Sequence, residues 1–114
     1  MSITFEDVTD QFRRVTISGR LDAQGTDAIA TKFAGLTATA ARRIAVDLSG
    51  VSFLASIGIR AFVSNAKAVQ QRGGKMVLFT GTNDIVSKTL ESTGIDTLIP
   101  VFADAAEAEK AANA

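Results

Sequence analysis

Ser56 stands between two apolar runs in DLSGVSFLASIGIR, residues 47–60, two positions before Gly58. A serine at a step from strand to helix can accept a hydrogen bond from an unpaired amide of the first helical turn. Taken alone, that makes Ser56 a helix cap. The same place also suits a phosphate acceptor, because a helix N-terminus offers free amides and partial positive charge. Phosphorylation would put roughly −1.5 to −2 charges beside Ile57 and Ile59 and disrupt an apolar docking contact. A third chemistry is nucleophilic attack, since ASIGI has a passing likeness to the glycine-flanked serine elbow of hydrolases. That elbow needs a histidine to take the proton, and the chain has none. Lys67 and Lys75 could replace it in principle, but no motif puts either beside Ser56.

Two carboxylates come next. Asp22 in GRLDAQGT reads as a turn or helix-capping acid at a strand-to-helix junction. That junction is expected at the same end of the sheet as Ser56, which also makes Asp22 a candidate loop contact. Asp47, at an expected strand end before Ser49-Gly50, reads as an acceptor for loop amides. The two acids are isolated and lack ligand spacing, so no metal is expected, and no cofactor either. Gly58 lets a first helical turn pack closely, or flattens a surface for a partner.

Composition narrows the field further. The chain has 114 residues, enough for one domain with its own core. Apolar residues are 46% of the total, which argues for a folded chain. Twelve basic and twelve acidic residues cancel without a block of either sign, so neither nucleic acid nor an anionic membrane is expected as partner. The absence of Cys and His removes thiol nucleophiles, disulfides, structural zinc and the commonest general base, so an enzyme is not expected. MSITFEDVTD lacks the basic and apolar regions of a signal peptide, and no run reaches about 18 apolar residues. A cytoplasmic location without direct membrane insertion is the expectation.

The elements that must position these residues follow from periodicity. Ile3 and Phe5 share one side of a strand, Val15 and Ile17 one side of the next, and the two predict an antiparallel hairpin. Ile29, Phe33 and Leu36 have helical spacing, followed by the connector TATAARR. RIAVDLSGVSFL reads as a strand with Ile44, Val46 and Leu48 on one side and Ser49-Gly50 as a turn. From Ser56 to Arg72, Ile59, Phe62, Val63, Ala66 and Val69 line one helical face, and Gly73-Gly74 ends the helix. KMVLFT reads as a strand buried on both sides. Asn83 caps a helix to about Thr93, with Gly94 as its left-handed stop and Ile95 as the apolar contact beyond it. LIPVF is a last strand confined by Pro100 to an edge, and ADAAEAEKAANA a terminal helix with a weak apolar face. The strand-helix-strand units imply parallel pairing in one undivided α/β domain.

VDLSGVSFLASIGIRAFVSNAKAVQQRGGKMVLF resembles the STAS family, the bacterial anti-sigma factor antagonists and their relatives. SGRLDAQGT is similar to that family's G-x-L-D loop, and LESTGIDTLIPVFADAAEA to its closing helix, strand and helix. The likeness spans residues 1–114 and implies a single STAS-like domain with a mixed sheet of four to five strands and about four helices. It implies regulation by binding: the unphosphorylated antagonist binds a serine-kinase anti-sigma factor, phosphorylation of the switch serine releases it, and a serine phosphatase restores the cycle. Ser56 matches the phosphorylated serine, Asp22 the loop acid near the kinase contact and Gly58 the motif glycine. The implied partner surface is Asp22, Ala23, Gln24 and Gly25 together with Ala55, Ser56, Ile57, Gly58 and Ile59.

One departure stands out. The family's usual pattern has Asp before the switch serine and a small polar residue after it, where this chain has Ala55 and Ile57. Loss of the acid removes a group that could orient the hydroxyl or contact the kinase, and leaves a more apolar loop. The alternative function is a constitutive STAS-like subunit of a lipid-transport or sensory complex, in which Ser56 would be a cap alone.

Overall fold

The computed structural model describes residues 2–38 and 42–114. β1 (Ser2–Asp7) and β2 (Phe12–Leu21) form the expected antiparallel hairpin, with Ile3 opposite Ile17 and Phe5 opposite Val15. Val15 and Ile17 are fully buried, whereas Phe5 on the edge strand stays exposed under the Arg13 guanidinium, 4.7 Å from its ring centroid. β3 (Arg43–Leu54), β4 (Lys75–Phe79) and β5 (Val101–Phe102) then add in parallel, each to its predecessor, giving the order β1-β2-β3-β4-β5. Parallel neighbours need crossovers, and α1 (Ala23–Thr37), α2 (Ser56–Gln71) and α3 (Asp84–Thr93) lie on those paths. α4 (Ala105–Ala112) closes the chain.

The two faces of the sheet are unequal. Val15, Ile17, Ile44, Val46, Leu48, Met76 and Leu78 point into the main core, where Ile29, Phe33 and Leu36 of α1, Phe62 and Val69 of α2, and Val86 and Leu90 of α3 meet them. Phe33 and Phe62 join α1 to α2 edge to face, with ring centroids 5.9 Å apart. Each is 1% exposed, a burial that stabilises the fold by about 1.5–3 kcal/mol per side chain. The opposite face carries a smaller cluster of Phe12, Ala45 and Val77 under Ala108 and Ala112 of α4. The run Met76–Leu78 therefore reads as continuously apolar because successive residues face covered sides in turn.

Three expectations need correction. Ser49-Gly50 is not a turn; β3 runs through it. Thr16 pairs with Asp47 but Ser18 with Gly50, and Gly19 pairs with Val51 but Arg20 with Phe53. β3 thus carries one extra residue at each of two bulges, which absorb the turn-forming dipeptide and bend the strand. LIPVF contributes only Val101–Phe102 to the edge strand, because Ile95–Thr97 form a 3-10 turn and Pro100 has no amide for the ladder. Ser56 is not the cap of α2, as its surroundings make plain below. Part of the connector TATAARR, residues 39–41, lies outside the described residues.

Candidate functional site

β2 and β3 end together, with Leu21 paired to Leu54. The amide of Ala55 donates to the carbonyl of Leu21 at 2.9 Å, so the Asp22 junction and the Ser56 junction are one hydrogen bond apart. Asp22 has extended backbone (φ −83°, ψ −172°) and caps α1: its Oδ1 accepts from the Gly25 amide at 2.8 Å, and its carbonyl accepts from Thr26 at 2.9 Å. That amide bond, with the Arg20 guanidinium 3.4 Å from Oδ2, holds the Asp22 carboxyl below the usual carboxylate range. Arg20 also covers the Phe53 ring at 4.6 Å. The pairing of Arg20 with Phe53 makes that stack, and through it Asp22 on one junction is tied to the strand that feeds the other.

Ala55 occupies the cap position of α2, with extended backbone (φ −89°, ψ 166°) and no side chain able to cap. Its carbonyl accepts from Gly58 at 3.0 Å and Ile59 at 3.3 Å. Ser56 is already the first helical residue, one position past the cap, and its hydroxyl makes no capping bond. That side chain is exposed and has no hydrogen-bond partner among the described residues. The bond from Ala55 to Leu21 lies where β3 stops, and Ala55, not Ser56, takes the cap position. Gly58 is held against the sheet: a Cβ there would sit 2.9 Å from Leu54 Cδ1 and 3.3 Å from Leu21 Cβ. Close packing is thus sufficient reason for the glycine.

The nine candidate contact residues divide by exposure. Ala23, Gln24, Ser56 and Ile57 face solvent, and Asp22 and Ala55 do so in part. Gly25 and Gly58 are buried, and Ile59 packs against the main core. The accessible surface is a hydroxyl among short and apolar side chains, with Phe53 and Ile57 about two-fifths exposed on either side in sequence. Asp47 lies inside β3 and not at a strand end, so the groups it accepts are not loop groups: its Oδ1 takes the Ser49 amide at 2.9 Å and the Ser49 hydroxyl at 2.6 Å, both within the strand at the first bulge. Among the described residues no group of three or more His, Cys, Asp or Glu is placed to hold a metal. Lys67 lies about 16 Å along α2 from Ser56, by the rise per residue. Lys75 opens β4 beside Arg42, toward the start of β3. Neither lysine is placed to take a proton from the serine. The Arg20–Phe53 stack escaped sequence reasoning because it depends on the bulged register.

The sequence profile described as "STAS domain" matches residues 7–108. The chain belongs to the STAS domain family. Among relatives of this STAS domain is the anti-sigma-B factor antagonist of Staphylococcus aureus strain NCTC 8325, 28% identical over 102 residues that cover 89% of this chain and 94% of that one. An anti-sigma factor antagonist from Mycobacterium paratuberculosis has the same fold, with a TM-score of 0.83 at 21% identity over 99% of this chain and 96% of that chain. The Bacillus cell fate determinant SpoIIAA in its phosphorylated form superimposes with a TM-score of 0.68 at 19% identity, covering 96% of this chain and 98% of that one. The single α/β domain with a five-stranded mixed sheet and four helices is the fold these proteins share. Among the described residues no helix is long and apolar enough to cross a membrane.

Proposed function

We propose that this STAS domain is an anti-sigma factor antagonist that works by partner switching, with Ser56 as the switch. The unphosphorylated protein docks the exposed parts of the Asp22 loop and the α2 N-terminus onto a serine-kinase anti-sigma factor, and so frees a sigma factor. In the same complex, Ser56 Oγ attacks the γ-phosphorus of ATP, the bond to ADP breaks, and a base on the kinase takes the hydroxyl proton. The phosphoserine then carries roughly −1.5 to −2 charges into a contact built on Ile57 and its apolar neighbours, which releases the partner. A serine phosphatase returns the hydroxyl by hydrolysis.

The observation that carries this reading is the unengaged Ser56 hydroxyl at the first position of α2, exposed and next to the Asp22 junction. A serine serving only the fold would be expected to bond the backbone. The Staphylococcus aureus antagonist and the Bacillus protein solved in its phosphorylated form support the same direction.

The test is to incubate the purified protein with each kinase-type anti-sigma factor of the host genome and ATP, and to locate phosphate by mass spectrometry. Phosphate on Ser56 is expected, and Ser56→Asp should weaken binding about a hundredfold, as a charge buried in an apolar contact does. An unmodified Ser56, with Ser56→Asp binding as wild type, would overturn the switch and leave a constitutive subunit.

A further inference from the structure

β3 is the longest strand, and its last part, which delivers Ser56, extends beyond β4: the ladder between them stops at Asp47 and Phe79. On that uncovered edge the backbone carbonyls of β3 would be left without the partner a neighbouring strand supplies. One side chain takes its place. Asn83 Nδ2 donates to the carbonyl of Val51 at 2.7 Å and, at longer range, to those of Ser49 at 3.2 Å and Leu48 at 3.3 Å. These three acceptors span the first bulge, where β3 departs from regular pairing with β2. The other end of the same amide is also engaged: Asn83 Oδ1 accepts from the Val86 amide at 3.2 Å and caps α3. The backbone on either side is fixed too, with the Asn83 amide on Thr80 and the Ser87 amide on the Asn83 carbonyl. Gly81, at φ +60°, lets this turn pass close to Ser49, where a Cβ would lie 3.2 Å from the serine's own.

We infer that Asn83 is a positioning residue for the switch: it holds the free end of β3 in the pose that presents Ser56 and makes that pose depend on the seat of α3. Its side chain makes no hydrogen bond to Ser56, and it acts by pinning Leu48, Ser49 and Val51 while β2 pins the other edge. A force on α3 would reach the Ser56 junction through this amide. The inference rests on the proposed partner switching for its functional half, and on geometry alone for its mechanical half.

Asn83→Ser separates the two. Serine keeps a good cap acceptor for α3 but has no amide to reach β3. Amide exchange at Ala55, whose N–H bonds Leu21, and at Gly58 should accelerate about two- to tenfold relative to wild type, from loss of this hydrogen bonding. Affinity for the kinase-type anti-sigma factor and the rate of phosphate transfer to Ser56 should both fall about three- to tenfold, as preorganisation is lost. Asp104→Ala is the control, removing the cap of α4 at Glu107 on the opposite face of the sheet. It should cost comparable stability and leave exchange, binding and phosphorylation at the Ser56 junction unchanged. Unchanged exchange at Ala55 and Gly58 in Asn83→Ser overturns the inference whether or not any partner binds. Faster exchange with wild-type binding overturns its functional half. Absence of binding by the wild-type protein itself refutes partner switching, and the exchange data then still decide the clamp.

Discussion

α1 and α2 begin side by side at one end of the sheet, linked by the bond from Ala55 to Leu21, yet their first turns are built differently. α1 starts on a carboxylate that satisfies the Gly25 amide and supplies negative charge at the positive end of the helix. α2 starts on a methyl group, has no acid in its first turn, and gives its leading amides no side-chain cap. α3 and α4 follow the first pattern, with Asn83 and Asp104 as side-chain caps. The helix that is left incomplete is therefore the one with an exposed serine at its head. A phosphate on Ser56 would bring to α2 the charge that Asp22 already gives α1. The contrast places a charged cap at the Asp22 junction and no side-chain cap at the junction that carries the proposed switch.

What the two junctions share is the close approach at Gly58, and breaking it should have the largest effect on folding. Gly58→Val forces side-chain atoms into Leu54 and Leu21, where even a Cβ is crowded. Unfolding stability should fall by about 1–3 kcal/mol, as overpacking typically costs. Urea titration reads this as a lower midpoint with little change in slope. A midpoint equal to wild type would mean that the Leu54 side chain simply moves aside and that the junctions are not tightly joined.

The second prediction makes α2 resemble α1. Ala55→Asp places a carboxylate where Ala55 already has the extended backbone of a cap residue. Stability should rise by about 0.5–2 kcal/mol, the usual difference between Ala and Asp at this position. The substitution also restores the acid that the family's usual pattern has before the switch serine, so phosphorylation kinetics on the same variant test whether that acid helps the kinase. A destabilised Ala55→Asp would show that the first amides of α2 are not open to a cap.

A smaller effect distinguishes the junctions by pH. The Asp22 carboxyl sits below its ordinary range in the folded chain, chiefly through the Gly25 amide and also through Arg20. The unfolded chain therefore takes up the proton first as pH falls. Asp22 contributes fully above the ordinary carboxylate range, and its contribution is lost as pH drops through the depressed folded value. Asp22→Ala should flatten that part of the acid limb of a stability profile. A residual slope should remain from Asp7, which the hydrogen bonds to Arg13 lower in the same sense. An acid limb that Asp22→Ala leaves unaltered would count against the α1 cap as a charged one.

How much of this was legible in the sequence depends on how far each feature reaches along the chain. The Asp22 cap, the Asn83 cap and the left-handed Gly94, at φ +72°, are local patterns that hold within a few residues. The double-sided burial of Met76–Leu78 follows from an unbroken apolar run. Ser49-Gly50 misled because its turn preference is local, whereas the bulges that accommodate it require β2 as a parallel neighbour. The Asn83 bonds to Leu48, Ser49 and Val51 cross more than thirty residues, and no spacing rule announces them. The candidate site was legible as a pair of junctions, but its accessible part was not: Gly25, Gly58 and Ile59 belong to the packing beneath it.

Ser56→Ala is the last and smallest perturbation, and it bears most directly on the difference between the two junctions. Were Ser56 the cap of α2, alanine would cost about 0.5–2 kcal/mol. With Ala55 in the cap position and the Ser56 hydroxyl unengaged, the change should stay within about 0.5 kcal/mol of wild type, as for an exposed substitution away from any cap. Phosphate incorporation should vanish at the same time, while binding of the unphosphorylated protein to the kinase persists. A serine that can be removed without loss of stability or docking, but not without loss of the modification, has no structural duty at the head of α2. A loss of stability of cap size would instead mean that the hydroxyl turns back onto the first amides in solution, and that the two junctions are more alike than their backbones indicate.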